Sequence, residues 1–311
     1  MSPSRLARDH LLYNHPMRTI CVGPYDFGLS WRLFSAYAAG NASERGSVAI
    51  WWDGKPTLLY LRQAREEPPV IELIADPMPA RAREFQSMVR KVLHADLDLD
   101  PFYRRARRDK ALRPVINALV GLKPVRPPDM FQMMVIALSE QQVSMAAAHR
   151  VRERFLSAFG ARAGRLFAFP RAADVAALGA KDLRACGFSA RKAECLVSLA
   201  CKIAGGEMDI ASWEGMADGE LIDLLRGYPG IGEWTAEYLL ARGLGRLDVV
   251  PASDLGVRRA VGRYLAGGGE PTSAEVRELL AKWSPWRGLV AFYLLAHQRL
   301  TADGKKWILT T

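Results

Sequence analysis

Leu224-Leu225-Arg226-Gly227-Tyr228-Pro229-Gly230-Ile231-Gly232-Glu233-Trp234-Thr235-Ala236 decides how this chain is read. Gly230 and Gly232 bracket one apolar residue, so the turn can take positive φ and bring backbone N–H groups close to another molecule. Ile231 is expected to plug inward and fix the turn between two helices, Gly219–Arg226 and Glu233–Arg242. The amides at the start of the second helix then form a compact site for a phosphate. The same glycines would also serve an ordinary corner, ending one helix and starting the next.

Downstream, the second helix ends near Gly243 and the chain continues Leu247-Asp248-Val249-Val250-Pro251-Ala252-Ser253-Asp254-Leu255-Gly256-Val257-Arg258-Arg259-Ala260. Pro251 blocks helical continuation, and Ser253 or Asp254 can cap the helix that starts beyond. An Asp at that place is ordinarily a cap; next to a phosphate-binding turn it is also a carboxylate held near a bound nucleic acid.

Upstream, Val48–Trp52, Asp53-Gly54 and Thr57–Leu61 read as two strands around a tight turn, with Val70–Ile74 as a further strand. Ser30–Tyr37 has apolar residues at helical spacing and stops near Gly40. Beyond about Arg81 helices separated by Pro and Gly take over, so an α+β N-terminal domain (1–112) precedes an all-α domain (113–311). Met130–Phe159 reads as one or two helices, and Leu183–Ala204 around Gly187 forms a second helix–hairpin–helix-like unit. Tyr103–Arg113 carries Arg104, Arg105, Arg107, Arg108, Lys110 and Arg113 against Asp109 alone, a pattern read as a solvated helix face in preference to a dedicated phosphate track.

The 311 residues carry a formal net charge of +10, which suits a polyanionic partner without proving one. Cys21, Cys186, Cys195 and Cys201 show no metal-binding spacing and read as reduced core thiols. No stretch has the continuous apolar length of a signal peptide or a membrane span, and the chain is read as soluble, cytoplasmic and nucleoid-associated through DNA.

A Pro-Gly-Ile-Gly hairpin followed about 20 residues later by a Gly/Pro-punctuated loop (248–256) ending in Asp resembles the helix–hairpin–helix, Gly/Pro-rich-loop, Asp DNA glycosylases. Further features resemble the 3-methyladenine DNA glycosylase II branch: Pro24-Tyr25-Asp26-Phe27, Gln141-Gln142-Val143-Ser144 and Trp283-Ser284-Pro285-Trp286-Arg287. The resemblance runs from about Ile20 to Leu300. It implies an antiparallel N-terminal sheet similar to half of a TATA-binding protein, then a helical glycosylase domain whose helix–hairpin–helix spans about 219–242.

The roles it implies are specific. Asp254, just before Leu-Gly, is the catalytic acid that stabilises the positive charge developing on the sugar as the glycosidic bond breaks; Asp248 supports the loop. Lyases of the superfamily carry a lysine two residues after the second hairpin glycine, where this chain has Trp234, which implies hydrolysis without strand cleavage. Trp234 and Tyr238, four apart on one helix, form an aromatic wall for an alkylated, cationic base, closed by Phe34 from the N-terminal domain. Gly230, Gly232 and Thr235 meet the DNA phosphate, and Gln141 or Gln142 fills the space left by the flipped nucleotide. The chain departs from the branch at these glutamines, where an apolar wedge is the pattern, and at Leu295, where an aromatic residue occurs.

The resemblance further implies sodium or potassium on the backbone carbonyls of Arg226, Tyr228 and Ile231, no required cofactor and no iron–sulfur cluster. The expected partner is double-stranded DNA with damaged bases, bound by a monomer. The competing readings are a glycosylase for oxidised or deaminated bases, with or without lyase activity, and a DNA-binding protein without catalysis.

Overall fold

The computed structural model describes residues 16–36 and 40–301. Among these, strands β1 (Met17–Ile20), β2 (Ala42–Ser43), β3 (Ser47–Trp52), β4 (Lys55–Glu66) and β5 (Pro69–Asp76) form an antiparallel sheet ordered β1-β5-β4-β3-β2. The β3–β4 turn forms as the Asp-Gly pair dictates, with φ of 48° at Asp53 and 73° at Gly54. The helix Phe27–Ser35 is capped by Asp26, whose Oδ1 accepts the Leu29 N–H at 2.8 Å. It packs Phe27, Trp31 and Phe34 on the sheet, where Phe85 and Val89 of the helix Ala82–Val92 join the same core. Tyr37, expected in the first helix, lies outside the described residues.

The expectation that everything beyond the sheet is helical fails at one place. Strands β6 (Ala161–Ala163) and β7 (Leu166–Ala168) form a small hairpin that packs Ala163 and Ala168 against Ala49 and Leu58 of the sheet. The Trp51 indole N–H donates to the Phe169 carbonyl at 2.7 Å, and the Asn41 amide to the Phe167 carbonyl at 3.1 Å. Strands of three residues show too little alternation to be read from sequence; tertiary packing makes them.

The helices enclose two further cores. In one, Met130–Glu140 is surrounded by Met145–Phe159, Ala190–Ala204 and the hairpin helices. In the other, Asp100–Ala106 and Leu112–Ala118 pack with Leu255–Leu265, Ser273–Ala281 and Arg287–Thr301. Residues 99–112, which the sequence groups with the sheet, thus share their core with the carboxyl-terminal helices. The Tyr103 and Tyr293 hydroxyls, 2.7 Å apart, sit inside it. All six basic residues from Arg104 to Arg113 are exposed.

His94 joins the sheet's last helix to the helical body. Its Nδ1 lies 2.6 Å from the Pro124 carbonyl, and Gly245 (φ 73°) passes so close that a Cβ there would collide with the ring. Burial, helped by Arg126 nearby, lowers its pKa from 6.5 to about 3. The folded protein therefore keeps His94 neutral where the unfolded chain takes up a proton. Its contribution to stability is present above pH 6.5 and is lost as the pH falls towards 3, at up to about 1.4 kcal/mol per pH unit. Denaturant titrations between pH 7 and 5 are expected to show this slope in the native protein and a flatter one in His94→Gln; equal slopes would refute the assignment.

Candidate active site

The hairpin forms because Asp218–Arg226 ends at Gly227 and a new helix, Glu233–Tyr238, starts at Gly232. Ile231 between them is buried in the helical core, as its apolar side chain requires. Gly230 takes φ of 81°, and a Cβ there would lie 2.6 Å from the Cys195 sulfur. Gly232 does not share this conformation: its φ is −89°, and it serves as the helix N-cap. A Cβ at Gly232 would meet nothing within 4 Å, so its bare backbone faces open space in which a ligand can approach.

Two expected contact residues turn inward instead. Thr235 is 2 % exposed, and its hydroxyl accepts from the Gln141 side-chain amide at 2.9 Å rather than facing a phosphate. Gln141 also donates to the Gly230 carbonyl at 3.0 Å, so it braces the hairpin and is not free to enter a duplex. Gln142 is the opposite case. With φ of 54° it is thrown outward, exposed, at the tip between Met130–Glu140 and Met145–Phe159, beside exposed Val143. The fold thus occupies the Gln141 side chain and leaves that of Gln142 exposed.

Asp254 caps a helix and also accepts a hydrogen bond from Trp234. Its Oδ1 accepts the Val257 N–H at 3.0 Å at the start of Leu255–Leu265, and its Oδ2 accepts the Trp234 indole N–H at 3.0 Å. Trp234 stacks on Tyr238, with ring centroids 5.2 Å apart and an interplanar angle of 20°. The loop before Asp254 is held by Asp248, which accepts from Ser284 Oγ at 3.0 Å, the Arg287 N–H at 3.0 Å and Arg287 Nη2 at 2.7 Å.

Asp254 lies where two hollows meet. A broad groove of about 1260 Å³ is lined by the hairpin, Gln142, Arg191, Lys192 and Arg259. A smaller cavity of about 110 Å³ runs behind it, lined by Tyr238, Glu140, Arg242, Phe292 and Leu295 among others. Phe34 does not reach this cavity: it is buried in the core of the sheet domain. Its neighbour Leu33, one residue back and on another face of the helix, lines the cavity instead. Leu295, the departure from the branch, also lines this cavity.

Sequence reading missed the charged groups behind the aromatic wall. Glu140 is buried; its Oε1 accepts from Arg152 at 2.9 Å and its Oε2 from the Tyr238 hydroxyl at 3.2 Å. Burial raises the Glu140 pKa, against the lowering effect of Arg152. Arg152, itself fully buried, also donates to Ser139 Oγ at 2.8 Å. Arg242 stands on a π-helical turn, Leu239–Leu244, that replaces the end of the expected helix Glu233–Arg242. Its place four residues after Tyr238 was the available signal, because that spacing shares a helix face.

The Tyr228 carbonyl accepts the Ile231 N–H at 3.2 Å, and Arg226, the last residue of its helix, presents a carbonyl beyond the helical ladder. Carbonyl oxygens are the ligand type that a hard monovalent ion prefers. Among the described residues no cluster of His, Cys, Asp or Glu could hold a metal, and no helix is long and apolar enough to cross a membrane. Cys21, Cys186 and Cys195 are buried as core thiols, whereas Cys201 is exposed, contrary to the reading of all four as core.

Residues 135–285 match the family model described as HhH-GPD superfamily base excision DNA repair protein. DNA-3-methyladenine glycosylase 1 of Schizosaccharomyces pombe is 34% identical over 172 residues, covering 55% of this chain and 73% of that protein. Among solved structures, 3-methyladenine DNA glycosylase from Archaeoglobus fulgidus superimposes with a TM-score of 0.82 at 25% identity, covering 92% of this chain and 99% of that one. The 3-methyladenine DNA glycosylase of S. pombe in complex with abasic DNA matches with a TM-score of 0.55 at 29% identity, over 63% and 94% of the two chains.

Proposed function

Because the chain belongs to the HhH-GPD superfamily of base excision DNA repair proteins, we propose that it is a monofunctional DNA glycosylase that flips out alkylated bases of the 3-methyladenine and 7-methylguanine type and releases them by hydrolysis. The observation that carries this reading is Asp254, bonded through Oδ2 to Trp234 at 3.0 Å at the junction of groove and cavity.

The hairpin amides and Gly232 hold a phosphate of double-stranded DNA, and Gln142 enters the duplex as the damaged nucleotide turns out. The base enters beside Trp234 and Tyr238, where a cationic ring gains about 0.5–2 kcal/mol per aromatic contact. As the C1′–N bond breaks, its electron pair leaves with the base and positive charge spreads over the sugar. Asp254 stabilises that charge and takes the proton of the water whose oxygen bonds to C1′. A cationic alkylated base departs neutral, which is why such lesions need little further help to leave. The carbonyls of Arg226, Tyr228 and Ile231 would hold a sodium or potassium ion, which would supply positive charge beside the phosphate. The enzyme acts as a monomer on DNA in the cytoplasm.

With Trp234 in place of an amine nucleophile, a methylated duplex is expected to yield free base and an intact abasic strand. Borohydride should trap no enzyme–DNA adduct. A trapped adduct would make the protein a lyase, and a lack of base release from every damaged duplex would refute the proposal.

A further inference from the structure

Six cations crowd the join between the helices Asp100–Ala106 and Leu112–Ala118. They do not share one helix face. Arg104 and Arg105 end the first helix, Arg107, Arg108 and Lys110 lie in the connecting turn, and Arg113 stands in the first turn of the second helix. With Asp109 counted against them, they supply half of the chain's net charge of +10.

Elsewhere the protein pairs its arginines: Arg18 and Arg62 with Glu72, Arg81 with Asp53, Arg277 with Glu237 and Arg287 with Asp248. Among the described residues none of the six forms an ion pair. Most carboxylates nearby are engaged. Asp109 accepts Lys282 Nζ at 3.0 Å and the Ala111 and Leu112 N–H groups at 2.9 and 3.2 Å, Asp96 pairs with Arg90, and Asp98 accepts the Asp100 N–H at 2.9 Å. Three of the six are fastened to the protein. Arg105 donates to the carbonyls of Lys282 and Ser284, Arg107 lies 5.3 Å from the Tyr103 ring centroid, and Arg113 Nε donates to the Arg107 carbonyl at 2.8 Å. The side chains of Arg104, Arg108 and Lys110 donate to no protein group among the described residues, so their donors face solvent. Like charges held this close repel one another, and a polyanion relieves that repulsion. Guanidinium forks and a lysine take phosphate oxygens without reading bases.

This turn stands apart from the groove, and none of the six lines it. The groove takes Leu295, Gln298 and Arg299 from the helix Arg287–Thr301, whereas Arg105 and Asp109 hold Lys282 and Ser284 just before that helix begins. At 1.5 Å per residue the two places are about 12–18 Å apart along the helix axis, beyond the Debye length of about 8 Å at physiological salt.

We infer that the basic turn holds a second segment of duplex DNA by its phosphates while the hairpin groove holds the first. One molecule then bridges two stretches of DNA and passes from one to the other without full release. This rests on the glycosylase reading only in taking the groove as the place of the first duplex, and it is independent of which base is removed.

The test saturates the groove with a short abasic duplex carrying one dye, then titrates an undamaged duplex carrying another, so that a ternary complex is told apart from displacement. Native protein is compared with Arg104→Gln/Arg108→Gln/Lys110→Gln. The native protein is expected to take up the second duplex. The variant should lose about 10-fold to 100-fold in affinity for it, with a plot of log K against log salt that is shallower by about 2–3. Binding of the abasic duplex and single-turnover base release should not change. Arg104→Lys/Arg108→Lys, which keeps the charge, should retain most of the second binding. Transfer from a labelled duplex should quicken with competitor concentration in the native protein and not in the glutamine variant. Failure of native protein to take up a second duplex, or equal uptake by the glutamine variant, would overturn this inference and leave the glycosylase reading standing. If the groove takes no abasic duplex, that reading fails, and the undamaged duplex alone still reports on the turn through the same loss in the variant.

Discussion

Asp254→Asn is expected to lower base release about 10³-fold, or about 4 kcal/mol of transition-state stabilisation, while DNA binding persists. The carboxylate answers charge that develops only as the glycosidic bond breaks, so its loss falls on the chemical step and not on the grip of the hairpin. Asparagine is itself a good N-cap, so the helix Leu255–Leu265 should survive. One defect remains: Asp254 accepts two N–H groups, from Val257 and Trp234, at 3.0 Å each, and an amide oxygen must serve one and turn its NH2 towards the other. About 1 kcal/mol of stability is expected to go with that donor–donor contact. Single-turnover kinetics beside an abasic-DNA binding titration separate the two effects. Full activity in the variant would reduce Asp254 to a cap.

Arg152→Met is expected to be the most destabilising substitution near the site. The guanidinium is fully buried and pairs with Glu140 at 2.9 Å, so its removal leaves a carboxylate without its countercharge inside the protein. Breaking such a pair costs about 3–5 kcal/mol. The sign of the pH effect follows from burial, which already raises the Glu140 pKa and is no longer opposed by Arg152 in the variant. Protonating Glu140 removes the stranded charge, so the deficit should shrink as the pH is lowered and grow as it is raised. Denaturation midpoints of native and variant protein at pH 5 and pH 8 measure it. A deficit that is the same at both would mean that lost packing, not charge, governs this pair.

Local chemistry made much of the fold readable. Asp53-Gly54 states its turn whatever surrounds it, because two consecutive positive φ values suit few other residues. Gly230 likewise announces a left-handed turn, and Ile231 its burial. Gly232 shows the limit of that reasoning. The same residue type was needed there for access and not for φ, a difference that depends on what faces the backbone. The β6–β7 hairpin was illegible for a related reason, since its strands exist by packing against Ala49 and Leu58, more than 100 residues away in sequence.

In the site, sequence by itself determined the pieces that repeat a local pattern: the Pro-Gly-Ile-Gly hairpin, the loop, Asp254 at a helix start, and Trp234 where a lysine would make a lyase. Tertiary structure decided everything that depends on which side chains are already taken. Gln141 and Gln142 are adjacent and chemically identical, yet one is bonded to Thr235 and Gly230 while the other is left exposed. Phe34 and Leu33 are exchanged by a single step of about 100° around one helix. Glu140, Arg152 and Arg242 come from three helices, so no spacing in the chain brings them together. Hydrogen-bond capacity and helix rotation are properties of neighbours in space, and neighbours in space are what folding adds to the sequence.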